Sequence, residues 1–262
     1  MFLEQMNYLE VEEYLKNHDT VIIPTGSCEN HGKHMPLGTD TMIPHKIAQL
    51  VNDKMGSEIV IAPTLPYGST EDLRGFAGTV SIGNDGLILV LTRICDQLFD
   101  YGFRHFMILN GHGGNSKAIE TVGLHLYNRG SFLARVDWWL LAGQLNPFWK
   151  GGHGGGEETA GVMAVNPDLI KYDYINEGEN IRNDVSDELP NATWTAVSFG
   201  KGTVTIPRPM TRITDNGWMG YGMPDAPSRA TPEWGREMVE GVSAYIADFA
   251  AAFSRTSLPE VK

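Results

Sequence analysis

TVIIPTGSCENHGKHMPLGTDT, residues 20–41, decides how this chain folds. The β-branched run up to Thr25 reads as a buried strand, Gly26 ends it, and a polar, glycine-containing loop follows. MIPHKIAQLVNDKMG (42–56) then shows apolar residues at helical spacing and closes on Gly56 as a C-cap. The same strand-to-helix unit recurs along the chain. EIVIAP (58–63) predicts a strand, DGLILVLTRICDQLFDYG (85–102) a helix opened by Asn84 or Asp85, and RHFMILNG (104–111) a third strand. NSKAIETVGLHLYNRG (115–130) predicts a helix, SFLARVDWW (131–139) a fourth strand and EETAGVMAV (157–165) a short helix. Strands separated by helices of this length form an α/β fold with a mostly parallel sheet covered on both faces, a three-layer α/β/α sandwich. Residues 171–231 are polar and rich in Gly, Pro, Asn and Asp, which reads as an irregular excursion, and a closing helix is expected at 232–254. The expectation is one domain over 1–262.

Bulk properties narrow the function. A hydrophobic fraction of 42% with 20% charged residues is that of a folded globular protein. No apolar run approaches the roughly 20 residues that span a bilayer, so no membrane role is expected. The acidic start MFLEQMNYLEVEEYL reads as an amphipathic helix rather than a secretion signal, which places the chain in the cytoplasm with Cys28 and Cys95 reduced. A net charge of -12 without a basic stripe argues against nucleic acid and leaves small or cationic partners open, a small-molecule substrate being expected.

In open parallel sheets, chemistry collects in loops past the carboxyl ends of strands. Here these are SCENHGKHMPLGTD (27–40), NGHGGN (110–115) and FWKGGHGGGEET (148–159), each with histidine or carboxylate among glycines. Glu29 and His31 stand two apart in one loop, Asp40 returns from its far end, and His112 is flanked by glycines that let backbone approach an ion. Such oxygen and nitrogen donors suit zinc or manganese, and a carboxylate can bridge two ions about 3.5–4 Å apart. Singly, each has a plainer reading: Asp40 as a helix N-cap, and His18, His34, His45, His105 and His125 as structural residues, His34 being near enough to brace a ligand. NGHGGN as a phosphate-cradling turn lacks the spacing of a dinucleotide site and the lysine of a P-loop. Trp138 and Trp139 read as core or interface aromatics.

VIIPTGSCENHGKHMPLGTDT (21–41) resembles the signature of the creatininase family, a strand followed by G-S-x-E-Q-H-G-P-H-L-P-L-x-T-D-T, with Asn30 for Gln and Lys33 for Pro. GFAGTVSI (75–82), LNGHGGNS (109–116) and HGGGEET (153–159) resemble later family blocks in the same order, so the likeness covers roughly residues 8–170. The resemblance implies hydrolysis of a carbon–nitrogen amide-type bond by two divalent ions, zinc and/or manganese. It implies Glu29, His31, Asp40 and His112 as metal ligands, Asp40 as their bridge, and a homo-oligomer, a hexamer in the family.

Departures qualify the substrate. Creatininase proper has a metal-binding Glu where Gly114 stands, an aromatic where Gly113 stands, and W-D-x-E-H over Trp149 to His153. Glu158 is the candidate to complete the second ion or act as base, and His153 to shuttle a proton. Trp149 is a candidate pocket wall, and Lys150 a partner for an anionic substrate. Backbone around Gly78 and Gly113 is expected to line the pocket, with Ser69 or Thr79 orienting the substrate. Creatinine itself is not expected; a small amide, cyclic amide or formamide is, and relatives sharing the NGHGGN form include a deformylase and a peptide-trimming enzyme. The alternative is a non-catalytic metal- or ligand-binding member of the fold, for which Gly114 is the best support.

Overall fold

A computed structural model describes residues 1–175, 182–217 and 226–260. At its centre strand β1 (Thr20–Thr25) is buried along its whole length. It pairs in parallel with β2 (Val60–Ile61) on one side and β3 (His105–Asn110) on the other, and β3 pairs in parallel with β4 (Phe132–Asp137). The sheet order is β2-β1-β3-β4. Because strand side chains alternate, Val21, Ile23, Val60, Phe106 and Ile108 point to one face, and Ile22, Ile61, Met107 and Leu109 to the other. The first face is covered by helices α1 (Tyr8–Tyr14), α3 (Gly83–Tyr101) and α4 (Ser116–Asn128). The second is covered by α2 (Thr39–Met55), α5 (Trp138–Leu145), α6 (Gly156–Val165) and α7 (Pro232–Phe253). The three-layer α/β/α sandwich read from the sequence is the observed fold, and among the described residues no helix is long and apolar enough to cross a membrane.

Three boundaries differ from the sequence reading. The fourth strand stops at Asp137 and Trp138 opens α5, so Trp138 is a core residue and Trp139 faces a cavity. The second strand shrinks to Val60–Ile61, although the chain runs on beside β1 as far as the bridge between Thr25 and Leu65. An extra residue interrupts the ladder: the Ala62 N–H donates to the Ile22 carbonyl, but the next bond to β1 comes from the Leu65 N–H to the Pro24 carbonyl. Within the stretch read as irregular, β5 (Ala196–Phe199) and β6 (Gly202–Thr205) form an antiparallel hairpin turned at Gly200, whose φ of 58° is the left-handed conformation a tight turn needs. The part of that stretch at 176–181 and 218–225 lies outside the described residues.

Glycines set how closely the second helical layer packs. A Cβ on Gly235 of α7 would lie 1.9 Å from the Ala160 carbonyl oxygen of α6, and one on Gly161 2.7 Å from Ile43 Cδ1 of α2. Gly86 in α3 differs: its Cβ would meet nothing nearer than Ile82 Cβ at 3.5 Å. The same substitution therefore has opposite signs. Gly235→Ala is expected to destabilise by about 1–3 kcal/mol through forced separation of α6 and α7, and Gly86→Ala to stabilise by about 0.5–1 kcal/mol through helix propensity. Urea midpoints of both variants check this; a neutral Gly235→Ala would show that the helices are not in contact.

Candidate active site

The carboxyl ends of β1 and β3 meet the first turn of α2 at Asp40. Its backbone sits against two glycines: a Cβ on Gly26 would lie 2.4 Å from the Asp40 carbonyl oxygen and one on Gly111 only 2.0 Å from it. Pro44, four residues on within the helix, has no N–H to bond that carbonyl. The three residues let the helix start press into the end of the sheet, which puts the Asp40 carboxylate among the side chains of the two strand-end loops.

Around it lie three histidines and two further carboxylates. His31 Nε2 is 2.8 Å from Asp40 Oδ1, 3.7 Å from Glu158 Oε2 and 3.9 Å from Glu29 Oε1. His112 Nδ1 is 3.1 Å from Asp40 Oδ2 and 3.1 Å from Glu29 Oε1. His153 Nδ1 is 3.6 Å from Glu29 Oε1. The donor atoms form three overlapping triads, Glu29–Asp40–His112, His31–Asp40–Glu158 and Glu29–His31–His153, each within 4.8 Å. The two Asp40 oxygens serve different triads.

Backbone carbonyls decide which ring nitrogen faces inward. His31 Nδ1 donates to the Glu29 carbonyl at 3.1 Å, His112 Nε2 to that of Ser69 at 2.9 Å, and His153 Nε2 to that of Asn30 at 2.8 Å. Each histidine thereby turns its other nitrogen toward the carboxylates, where a cation can take the place of the ring proton. Both Glu29 oxygens are buried without a hydrogen-bond donor among the described residues. A buried carboxylate of this kind needs a positive partner, and a set of imidazole nitrogens and carboxylate oxygens with no thiolate fits a borderline divalent cation such as zinc or manganese. The residues present therefore fit the ion pair that the motifs imply. Ser27 Oγ donates to Asp40 Oδ2 at 2.8 Å, and the Gly154 N–H to Glu158 Oε2 at 2.7 Å, fixing both carboxylates.

In the protein alone the cluster's charges fall on the imidazoles. Burial pushes His31 down, but Asp40, Glu158 and Glu29 outweigh it and hold the ring up at about 10. His112 is likewise raised against burial by Glu29 and Asp40. Asp40, raised by burial, ends far below the carboxylate range because both imidazoles favour its charge. Glu158 is pushed up to about 8, chiefly by burial. His153 is pushed down to about 4 by burial and by the nearby His31.

The structure thus brings Glu29, His31, Asp40, His112, His153 and Glu158 together. Gly114 has no room for a side chain, since a Cβ there would lie 2.1 Å from the Ser69 carbonyl oxygen and 2.5 Å from His112 Nε2. The acid that creatininase carries at that position cannot be accommodated, and Glu158 supplies a third carboxylate from the first turn of α6 instead. His34 bonds Thr159 Oγ1 at 3.1 Å, steadying that turn.

The cavity over the cluster, of about 470 Å³, is lined by Glu29, Asp40, His112, His153 and Glu158 of the cluster and by Gly113, Gly114, Asp72, Leu73, Trp139, Leu140, Glu157, Trp194 and Met210 among others. Four of the expected substrate contacts lie elsewhere. Lys150 is exposed beside Gly143 of α5, because the turn after α5 carries it outward. Trp149 packs on the core against Gly241 of α7. Ser69 gives its carbonyl to His112, and Thr79 Oγ1 accepts from the Asn30 N–H at 3.1 Å, so both brace the site rather than line it. Gly78 is spent on packing against Leu37. Sequence reasoning missed Asp72, Trp139, Trp194 and the bracing residues Ser27 and Asn115. Asn115 takes the Ser69 N–H at 3.0 Å and donates to the Gly26 carbonyl at 3.1 Å, tying three loops together. Ser27 and Asn115 stood inside motifs already singled out, whereas Trp194 gave no local signal.

Comparison with known proteins agrees with this geometry. Residues 4–250 match the family model Creatininase, described as creatinine amidohydrolase. A mycofactocin precursor peptide peptidase of Mycolicibacterium smegmatis is 33% identical over 159 residues, which are 59% of this chain and 61% of the relative. With a second such peptidase, of Mycobacterium ulcerans, at 63%, the chain spans about three fifths of the length of these curated relatives. A solved creatininase described as a manganese form superposes with a TM-score of 0.73 at 24% identity, covering 97% of this chain and 99% of the other. A variant creatininase described as of the zinc–zinc type does so at 0.73 and 22%, covering 97% and 98%. The fold, the order of the motifs and the match over nearly the whole length lead to one conclusion: the chain belongs to the creatininase family.

Proposed function

We propose that this protein is a metal-dependent amidohydrolase, one domain over 1–262, that cleaves the carbon–nitrogen bond of a small amide, cyclic amide or formamide. The observation that carries the reading is the pair of ligand triads sharing Asp40, Glu29–Asp40–His112 and His31–Asp40–Glu158. Two divalent ions, zinc and/or manganese, held by these residues would supply water activation near neutral pH and polarisation of the substrate carbonyl. The chain's own groups do the rest. His153 is neutral, and its Nδ1 opens toward the cluster while Asn30 holds Nε2. In this reading Nδ1 accepts the proton released by the attacking water and returns it to the leaving nitrogen. Glu158, whose proton affinity burial raises in the ion-free protein, would give up that proton on binding the second ion. Gly113, which lines the cavity without a side chain, lets the scissile group approach closely.

The non-catalytic alternative rested on Gly114, and Glu158 in the second triad answers that loss. Trimming of a short peptide is the second reading, favoured by the likeness to the peptidases and by the apolar walls Leu73, Trp139, Leu140 and Met210. Creatinine remains a poor fit, since Lys150 and Gly152 stand where creatininase proper has acids. A cytoplasmic location is supported by the free thiols Cys28 and Cys95. A homo-oligomer, a hexamer by family, is supported by the exposed Leu140, Phe148 and Tyr245. The net charge of -12 supports the absence of nucleic-acid partners.

Metal analysis by plasma emission after purification without chelator is expected to give about two ions per chain. Asp40→Ala should lose both and Glu158→Gln one, with hydrolysis of a panel of amides, formamides, hydantoins and dipeptides falling by at least about a hundredfold in each. Full metal retention in Asp40→Ala would refute the bridge.

A pH dependence follows for the metal-free protein. His31 in the folded state is held at about 10, above its ordinary 6.5. The stability this lends is complete below 6.5 and is lost as pH rises toward 10. Glu158, raised to about 8, works in the same direction: above its ordinary 4.5, ionisation favours the unfolded chain up to about 8. Thermal melts of chelator-treated protein should therefore weaken between neutral and alkaline pH, and zinc should remove that slope by replacing the proton on His31. A slope unchanged by zinc would place His31 outside the metal site.

A further inference from the structure

The cavity wall carries chemistry that hydrolysis does not use. Asp72, on the 3-10 turn Glu71–Leu73, lines the cavity together with Trp139 and Trp194. The Trp194 ring stands edge-on to His153, with centroids 6.0 Å apart, so the indole borders the reacting centre. Asp72 joins no salt bridge among the described residues, its neighbours Glu71 and Arg74 pairing with each other at 3.0 Å. No described residue lining the cavity is Lys or Arg. Nor do the stretches 176–181 and 218–225 contain any Lys, Arg or His, so wherever they lie they bring no cation. Lys150, the one cation the sequence put forward, is exposed and off the cavity.

A half-buried carboxylate paired with no described lysine or arginine is well placed to meet a ligand that brings the positive charge, and indole faces attract the same kind of group. The three carboxylates of the triads are engaged with the ion site and Glu157 is buried in the first turn of α6, so the half-buried Asp72 is the cavity carboxylate placed to meet the substrate. We infer that the substrate carries a protonated amine beside an apolar group, the ammonium taken by Asp72 and the apolar group by Trp194 and Trp139. The inference rests on the amidohydrolase reading for the bond that is cut, and it reverses the anionic preference that Lys150 suggested. It names a substrate class: amino-amides, including the amino-terminal end of a short peptide.

The test uses two probes of equal shape, phenethylammonium and phenethyl alcohol, titrated by calorimetry at neutral pH into the protein as purified and after zinc loading. The ammonium is expected to bind at least about tenfold more tightly, the worth of one charge-assisted hydrogen bond. Asp72→Asn should abolish that preference with the affinity for the alcohol and the metal content unchanged, Asp72→Glu should keep most of it, and Trp194→Ala should weaken both probes. Equal affinities, no detectable ammonium binding, or a preference that survives Asp72→Asn overturns the inference. The amidohydrolase reading fails separately, through absent metal in the same preparations.

Discussion

The site depends on a steric constraint: the start of α2 can reach the end of the sheet only because Gly26 and Gly111 carry no side chains. With the Asp40 carbonyl oxygen only 2.4 Å and 2.0 Å from where their Cβ atoms would be, any larger residue at either position pushes the helix away. The carboxylate of Asp40 would go with it, out of reach of His31 on one side and His112 on the other. β1 and β3 are neighbours in parallel register, so the two glycines end adjacent strands at the same level. Backbone packing and chemistry are in this sense one feature.

A second layer of backbone contacts turns that proximity into order. Three carbonyls, of Glu29, Asn30 and Ser69, each hold one histidine nitrogen and aim the other inward. Carbonyl groups fixed by the fold cost no side-chain entropy at the moment of binding, so the imidazoles arrive pre-oriented. The expense is electrostatic: Glu29, Asp40 and Glu158 crowd one water-poor space, and Glu29 has no hydrogen-bond donor among the described residues. Such an arrangement works against stability, and a cation relieves it. This is the local conflict between folding and function that marks active sites.

Much of this was legible in the residues themselves. β1 and the loop from Ser27 to Asp40 could be read because a buried parallel strand is a continuous β-branched run and because ligand residues cluster in sequence as well as in space. The same holds for His112, flanked by glycines directly after β3. Local reasoning failed where a residue's role depends on distant chain. Trp149 and Lys150 sat in a promising motif, but the direction of the turn after α5 sent one into the core and the other to solvent. Asp72 and Trp194 reach the cavity through loops whose course no periodicity encodes. The fourth strand ends two residues earlier than its sequence suggests, because Trp138 and Trp139 are as acceptable in a strand as in a helix start.

The account turns on Asp40 joining two ion sites, and anomalous scattering from crystals of the protein grown with zinc or manganese tests it most directly. It predicts two anomalous peaks about 3.5–4 Å apart, one beside Asp40 Oδ2, Glu29 and His112, the other beside Asp40 Oδ1, His31 and Glu158. A single peak, or two peaks with Asp40 contacting only one, would contradict it.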